Sequence, residues 1–203
     1  MEKNSDNQIC EPAEKPWRPS VEALDREIAR QDRKDAYKRL TFGVLVGLVV
    51  AAAVIIVITN LFIAVLQVDG SSMNPLLQMG EVVIAARDVN PEQNDIIAFY
   101  HDNTVYIKRV IAVGGDLVNI DVNGVVSVNG DQLDEPYAGK LSLGSCDIDF
   151  PYQVPPETFF VLGDNRSVSL DSRDSQFGAV GRNKIIGIVK FSMWPPSRIG
   201  SVS

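Results

Sequence analysis

Histidine and cysteine are scarce in this chain. Its 203 residues contain one histidine, His101, and two cysteines, Cys10 and Cys146. Side-chain metal sites draw on clustered His, Cys, Asp and Glu residues, and the sequence shows no motif with such spacing. It also lacks the glycine-rich loop that binds phosphate groups. We therefore expect no metal and no other cofactor.

The chain has no ionisable side chain between Arg39 and Asp69. Residues 41–66 within it are nearly all apolar, and a run of about 18 or more such residues is typical of a transmembrane helix. A core helix of this length would show a polar stripe, which is absent. A cleaved signal peptide has a shorter apolar region of about 7–15 residues near the N-terminus. We predict an uncleaved membrane anchor over 41–66.

Basic residues are unevenly distributed around this segment. Six of them lie within residues 26–39, whereas residues 67–86 contain no Lys or Arg. By the positive-inside rule, the basic side stays in the cytoplasm. The sequence thus predicts a single-pass protein of the cell membrane, with a partly disordered cytoplasmic tail over 1–40 and an extracytoplasmic domain over 67–203. The two cysteines would then lie on opposite sides of the membrane and could not pair.

Positive charge is in deficit in the outer domain. Residues 1–40 contain equal numbers of acidic and basic residues, so the net charge of −7 comes from residues 67–203. Domains that bind nucleic acid present basic surfaces to the phosphates. The acidic balance therefore argues against nucleic acid as a partner.

Short apolar stretches with frequent turns indicate β-structure after the anchor. Asn123-Gly124 joins two of these stretches and is a strong hairpin signal. Residues 134–157, with four prolines, are predicted to form a long loop or irregular insert. The pattern predicts a mainly β domain, an antiparallel barrel behind the membrane helix. The candidate strands are 82–85, 95–100, 105–113, 118–122, 125–128, 158–162 and 185–191.

Two polar residues lie in unusual positions within this pattern. Ser72 belongs to the turn-like stretch Gly-Ser-Ser-Met-Asn-Pro at 70–75, soon after the anchor. Lys108 interrupts an apolar strand, where alternation places it on one face with Tyr106 and Val110. Burial lowers the pKa of a lysine toward a neutral amine that can act as a base. A lysine that keeps an edge strand from aggregating fits the same position.

A third polar motif follows a strand candidate at 163–173. It reads Gly-Asp-Asn-Arg-Ser-Val-Ser-Leu-Asp-Ser-Arg. A solvated loop fits this composition, but two arginines and two aspartates among three serines favour a network of charge-assisted hydrogen bonds.

Together these motifs resemble those of the type I signal peptidases. The similarity covers roughly residues 40–200 and keeps the family's order behind a membrane anchor. It implies a signal-peptidase-like fold and a serine endopeptidase of the Gram-positive-like kind that removes signal peptides from exported preproteins. The matching stretches are Ser72-Met-x-Pro75, Tyr106–Ile111 with Gly115-Asp116, 163–173, Phe177-Gly178 and Ile186-Gly187.

The resemblance also implies roles for individual residues. Ser72 is expected to be the nucleophile and Lys108 its general base, a Ser–Lys dyad. Ser169 is expected to orient the lysine, and the Ser72 N–H to donate to the oxyanion. Gly70 stands where some family members carry a hydroxyl residue as a second oxyanion donor.

Supporting ion pairs are implied between Asp171 and Arg173 and between Arg109 and Asp164. The preprotein is expected to bind as an added strand beside the segments leading into the serine and the lysine. Shallow apolar pockets there favour small residues, the Ala-x-Ala pattern before the cut. Membrane lipid and the export machinery are the other expected partners. The residues matched to the substrate site are Val68, Gly70, Met73, Leu77, Tyr106 and Ile107.

Other classes of protein fit parts of the sequence. A sortase, which is a membrane-anchored Cys transpeptidase, would use Cys146, His101 and either Arg166 or Arg173, but the residues around Cys146 do not resemble the sortase motif. A Ser–His signal peptidase would need His101, which lies in a predicted turn. Self-cleaving repressors are soluble and carry a DNA-binding domain. A non-catalytic membrane-anchored β module would require the three motifs to coincide by chance.

The predicted orientation can be tested on intact cells. Protease added from outside is expected to digest residues after 66 and to spare residues 1–39, because only the outer domain is exposed to it. Immunoblots against tags at the two ends measure this, with lysed cells as the control. Digestion of the N-terminal tag in intact cells would overturn the orientation and the role in export.

Overall fold

A computed structural model describes residues 20–87 and 90–202 of the chain. Residues 1–19 of the predicted, partly disordered tail lie outside the described residues. The chain divides into two compact units, residues 1–54 and 55–203. All strands of the described residues belong to the second unit.

One long helix, α1 (Val21–Phe62), begins the described chain. Ser20 caps its N-terminus, since the Ser20 Oγ accepts a hydrogen bond from the Ala23 N–H at 3.3 Å. Helix α1 therefore includes residues 21–39 of the predicted cytoplasmic tail as well as the start of the apolar segment. Among the described residues, α1 is the one helix long and apolar enough to cross a membrane.

The apolar segment does not stay helical as far as residue 66, which corrects the predicted span of 41–66. Helix α1 ends at Phe62, and strand β1 (Ile63–Gln67) follows it directly. Strand β1 pairs antiparallel with β2 (Val82–Ala86) and buries Ala64 in the core. An unbroken apolar run has no period that marks the change from helix to strand, so the partner strand decides the boundary.

Ten further strands and two short 3₁₀ helices follow in the described chain. The 3₁₀ helices are Arg182–Lys184 and Pro196–Arg198. The strands are β3 (Ile96–His101), β4 (Thr104–Val113), β5 (Leu117–Ile120), β6 (Val126–Val128), β7 (Asp131–Gln132), β8 (Tyr152–Gln153), β9 (Thr158–Leu162), β10 (Val180–Gly181), β11 (Ile185–Trp194) and β12 (Gly200–Ser201).

The strands form two antiparallel sheets. The large sheet has the order β1-β2-β11-β3-β4-β9-β10, with β12 added to β11, and the small sheet has the order β7-β6-β5-β8. The predicted mainly β, antiparallel class is confirmed. Hydrogen bonding within the described residues leaves β1 and β10 as the two ends of the large sheet, so the predicted barrel is not closed by pairing.

Turn signals located the hairpins well. Val118 pairs with Val128 and Ile120 with Val126 across the predicted Asn-Gly turn. The segment 134–157 is irregular apart from β8, as predicted. Strands β7, β8, β10 and β12 are only two residues long and show no alternating pattern, which is why the sequence did not reveal them.

Burial places the three polar motifs around the core of the large sheet. Met73 and Leu77, just after the predicted nucleophile, pack into a core cluster with Val68 and Val202. On the neighbouring part of the sheet, Val110 of β4 packs in a second cluster. Apolar burial of this kind contributes roughly 1.5–3 kcal/mol for each large side chain and holds the motif-bearing segments in place.

Candidate active site

Ser72 lies on a compact loop between β1 and β2. The base of this loop is closed by backbone hydrogen bonds from the Val68 N–H to the Glu81 carbonyl, 2.8 Å, and from the Gly80 N–H to the Val68 carbonyl, 2.9 Å. Met73 beside it is buried, whereas Ser72 itself is partly exposed. The buried neighbour anchors the loop and leaves the hydroxyl residue accessible.

Lys108 is buried inside the large sheet. It lies on β4 opposite Ile97 of β3, and only 2% of it is exposed. Burial lowers the pKa of Lys108 to about 8, with Arg173 adding to this effect and the carboxylates of Asp171 and Asp164 opposing it. The neutral amine is therefore accessible near neutral pH, as a general base requires.

Ser169 provides the polar contact of this lysine. The Lys108 Nζ and the Ser169 Oγ form a buried hydrogen bond of 3.0 Å, although the residues are 61 positions apart in the chain. The loop that carries Ser169 also binds the Ser72 loop, because the Asn165 N–H donates to the Ser72 carbonyl at 2.9 Å. Residues from all three motifs are thus brought to one place.

Gly163 lies where these segments meet. A Cβ added to it would lie 2.6 Å from the Ser72 carbonyl oxygen and would overlap the Ser169 hydroxyl. No larger residue fits without moving one of the two serines. The glycine therefore permits the close approach of the Ser72 loop and Ser169.

Both ion pairs that the resemblance implies are present. The Arg109 guanidinium donates to Asp164 through two hydrogen bonds of 2.9 Å. The Arg173 guanidinium donates to Asp171 through two of 2.8 Å, and Asp171 also accepts from the Gly163 N–H at 3.1 Å. All four side chains are buried. Such bidentate pairs fix both distance and orientation.

A groove of about 390 Å³ runs past Ser72. One wall is formed by the end of β1 and the loop after it, and the other by the first half of β4. Five of the six residues predicted to bind substrate line it: Val68, Gly70, Met73, Tyr106 and Ile107. The sixth, Leu77, does not; it is 1% exposed and packs into the core beneath the loop.

Residues 41–194 match the sequence profile of the family described as signal peptidase, peptidase S26. The chain belongs to the signal peptidase family. Signal peptidase I S of Bacillus subtilis (strain 168) is 34% identical over 160 residues, which cover 73% of this chain and 86% of that protein. Signal peptidase I of Bacillus caldolyticus is 37% identical over 143 residues, covering 63% and 78%.

A crystal structure of a signal peptidase I from Enterococcus faecalis V583 is also similar, with 29% identity and a TM-score of 0.42 over 49% of this chain and 97% of that one. The family match over most of the chain makes this protein a serine endopeptidase of the signal peptidase I type. The predicted resemblance is confirmed. Together with the family, the apolar helix α1 indicates a membrane-anchored protein.

Cys146 and His101 occupy surroundings that differ from a sortase site. The Cys146 Sγ lies 3.7 Å from the Ile148 carbonyl within the insert. The His101 ring stacks on Phe177 with centroids 4.3 Å apart, inside an aromatic cluster that includes Tyr106. In residues 20–87 and 90–202, no group of three His, Cys, Asp or Glu side chains is placed to hold a metal.

Sequence reasoning missed two residues of this signal peptidase that contact the site's arginines. Glu135 forms a buried ion pair with Arg166, and the Tyr137 ring packs on the Arg109 guanidinium, 3.8 Å from Cζ to the ring centroid. Glu135 and Arg166 are 31 positions apart. A buried arginine calls for a carboxylate partner, but no periodic pattern indicates which one.

Burial of Lys108 makes a prediction about stability. At pH 7 the Lys108→Met variant should melt a few degrees higher than the wild type, because the buried ammonium is costly. Its folded-state pKa of about 8 lies below the ordinary 10.5, so the unfolded chain binds more protons between these values. Wild-type stability should therefore rise with pH in that window, and the advantage of Lys108→Met should shrink.

Melting curves of both proteins across this pH range measure the effect. The control is Lys140→Met, which removes an exposed lysine from the same domain. A Lys108→Met protein that is less stable at pH 7, or whose difference from the wild type does not change with pH, would contradict the buried-charge argument.

Proposed function

We propose that this chain is a membrane-bound signal peptidase I that cuts preproteins with Ser72 as nucleophile and Lys108 as general base. One observation carries the proposal. Lys108 is buried, its amine is hydrogen-bonded to Ser169, and the loop that holds Ser169 also binds the Ser72 backbone. A serine hydroxyl attacks a carbonyl well only when an adjacent base takes its proton.

The proposed reaction follows from these groups. The neutral Lys108 amine takes the Ser72 hydroxyl proton as the Ser72 oxygen attacks the scissile carbonyl. The Ser72 N–H stabilises the resulting oxyanion. The Lys108 ammonium then returns its proton to the leaving amine as the peptide C–N bond breaks. Water, activated by the neutral amine, hydrolyses the acyl-enzyme and frees Ser72.

The sheet offers two free edges to an extended substrate. Among the described strands, β1 pairs only with β2, and β4 pairs with β9 only from Arg109 onward. The groove lies between β1 and the start of β4, which pairs with β3 on one side and has no β9 partner on the other. An extended preprotein segment can add to these edges through main-chain hydrogen bonds.

Small residues before the cut are the proposed specificity. Val68 and Met73 are almost completely buried, and Ile107 is partly buried, so these side chains form floors close beneath the substrate backbone. Shallow apolar floors accept alanine and exclude bulky side chains. An Ala-x-Ala-like cleavage site fits this geometry.

Orientation and partners complete the proposal. Residues 1–40 are placed in the cytoplasm by their basic residues, the apolar part of α1 in the membrane, and the β domain on the outer side. In this arrangement the enzyme meets preproteins as the export machinery delivers them across the membrane. Membrane lipid is then the direct environment of the anchor.

Substitution of the dyad tests the proposed roles. Ser72→Ala and Lys108→Ala should each lower preprotein cleavage by about 10³-fold or more, since such residues act as a unit. Cys146→Ala and His101→Ala should keep most of the activity because neither belongs to the proposed site. Cleavage of a labelled preprotein in membranes measures all four. Inactivity of Cys146→Ala alone would favour the sortase-like reading.

The pH dependence tests how Lys108 works. The rate should rise with pH along one acid limb with an apparent pKa of about 8, because only the neutral amine accepts a proton. Lys108→Arg should be inactive although it keeps the charge, since a guanidinium does not lose its proton in this range. Ser169→Ala should slow the reaction but leave measurable activity.

A pH–rate profile of the purified enzyme on an Ala-x-Ala preprotein checks these outcomes. An active Lys108→Arg enzyme would show that the lysine acts as a cation, and the general-base mechanism would then be abandoned.

A further inference from the structure

Three buried arginines link the catalytic loop 163–173 to the insert 134–157. Arg109, Arg166 and Arg173 are each at most 2% exposed. Each has a carboxylate or carbonyl partner in the catalytic loop and a second contact in the insert. The insert, irregular as it is, therefore forms the outer support of the catalytic loop.

Glu135 is the one carboxylate of the insert that takes part in this support. It is paired with Arg166, and the two side chains are 3% and 1% exposed. The other edge of the same guanidinium holds the catalytic loop, because the Arg166 Nε donates to the Gly163 carbonyl at 3.0 Å. Glu135 thus holds the Arg166 side chain, which in turn holds the Gly163 backbone.

Gly163 transmits any displacement to the reacting groups. Its Cα lies so close to the Ser72 carbonyl and the Ser169 hydroxyl that an added Cβ would overlap Ser169. The Ser169 hydroxyl in turn holds the Lys108 amine at 3.0 Å. A shift of the Gly163 backbone therefore changes the distance between nucleophile and base, to which reaction rates are steeply sensitive.

Tyr137 connects Glu135 to the second arginine. Its hydroxyl lies 3.1 Å from a Glu135 carboxylate oxygen, and its ring covers the Arg109 guanidinium at 3.8 Å. Burial, reinforced by the Glu135 charge, raises the pKa of the Tyr137 phenol, so the phenol stays protonated and donates a hydrogen bond to Glu135. Arg109 holds Asp164, the residue next to Gly163.

We propose that Glu135 and Tyr137 are positioning residues for the Ser–Lys dyad. They act through Arg166 and Arg109 on the Gly163–Asp164 backbone, against which both serines pack. The inference rests on the proposed roles of Ser72 and Lys108 and adds the segment of the chain that sets their geometry.

Removing one partner of a buried ion pair also destabilises the fold, so the test has to separate position from stability. Glu135→Gln should lower kcat about tenfold with KM within about twofold, because groove residues are untouched while the spacing of the dyad changes. Tyr137→Phe keeps the ring on Arg109 and loses only the hydroxyl, so it should show a smaller loss of kcat.

The matched control is Asp134→Asn, which removes one exposed carboxylate from the position next to Glu135. It should behave as the wild type. All assays use the full chain in detergent, at a temperature at which every variant is folded. Melting temperature is measured alongside kcat and KM for each protein.

A double variant, Glu135→Gln/Arg166→Met, separates the two roles. Removal of both charges should restore much of the melting temperature, because no unpaired charge stays buried. It should not restore kcat, since the Gly163 carbonyl has lost its donor. A kcat that recovers together with the melting temperature would show that Glu135 serves stability only and would overturn the inference.

If Glu135→Gln does not fold, the kcat values of Tyr137→Phe and of the double variant still test the positioning role. A wild-type kcat in both of them overturns the proposal. Lys108→Ala in the same assay distinguishes this inference from the proposed function. An active Lys108→Ala protein would refute the dyad itself. An inactive one, combined with a fully active Glu135→Gln protein, would refute only the positioning role.

Discussion

The buried hydrogen bond between the Lys108 amine and the Ser169 hydroxyl, 3.0 Å long, links the strand that carries the proposed base to the loop that binds the backbone of the proposed nucleophile. A lysine in this position has to be shielded from water to become neutral, and also has to be held without a carboxylate in direct contact, which would keep it charged. A neutral hydroxyl meets both conditions. Asp171 and Asp164 act on the amine only at longer range, and their own arginine partners engage them.

The buried surroundings of Lys108 contain several other charged side chains, and each of these needs a partner of opposite charge. The loop after β9 carries Asp164, Arg166, Asp171 and Arg173, and its backbone leaves little room for movement around Gly163. Its charges are paired partly within the loop and partly with Arg109 of β4 and Glu135 of the insert. Arg173 also donates to the Ser142 and Leu143 carbonyls of the insert, which has almost no sheet of its own. Side-chain contacts thereby hold this irregular segment in place, because it lacks the backbone hydrogen bonds of a sheet.

The proposed mode of substrate binding uses strand edges that lack a partner among the described residues. Unpaired edges are a hazard in most sheets, because they invite association with other chains. In the large sheet the free side of β1 and the start of β4 border the same groove, next to Ser72. In the proposed mode of binding, main-chain pairing there holds an extended segment, and the low floors over Val68 and Met73 restrict which side chains fit.

Local patterns in the sequence were sufficient for the class of fold, and the order of the motifs was sufficient for the family. The charge-free stretch indicated the membrane helix, the Asn-Gly turn indicated the β5–β6 hairpin, and three short motifs carried the resemblance from which Ser72 and Lys108 were proposed. Each of these features repeats or contrasts within a few neighbouring positions, so it is visible without a partner. Other features depend on distant segments: β1 pairs with β2, which ends the helix at Phe62; Leu77 turns into the core instead of the groove; and Glu135 meets Arg166. Only the tertiary structure decided these, because strand partners and buried ion pairs join residues far apart in the chain, and no local period specifies which ones meet.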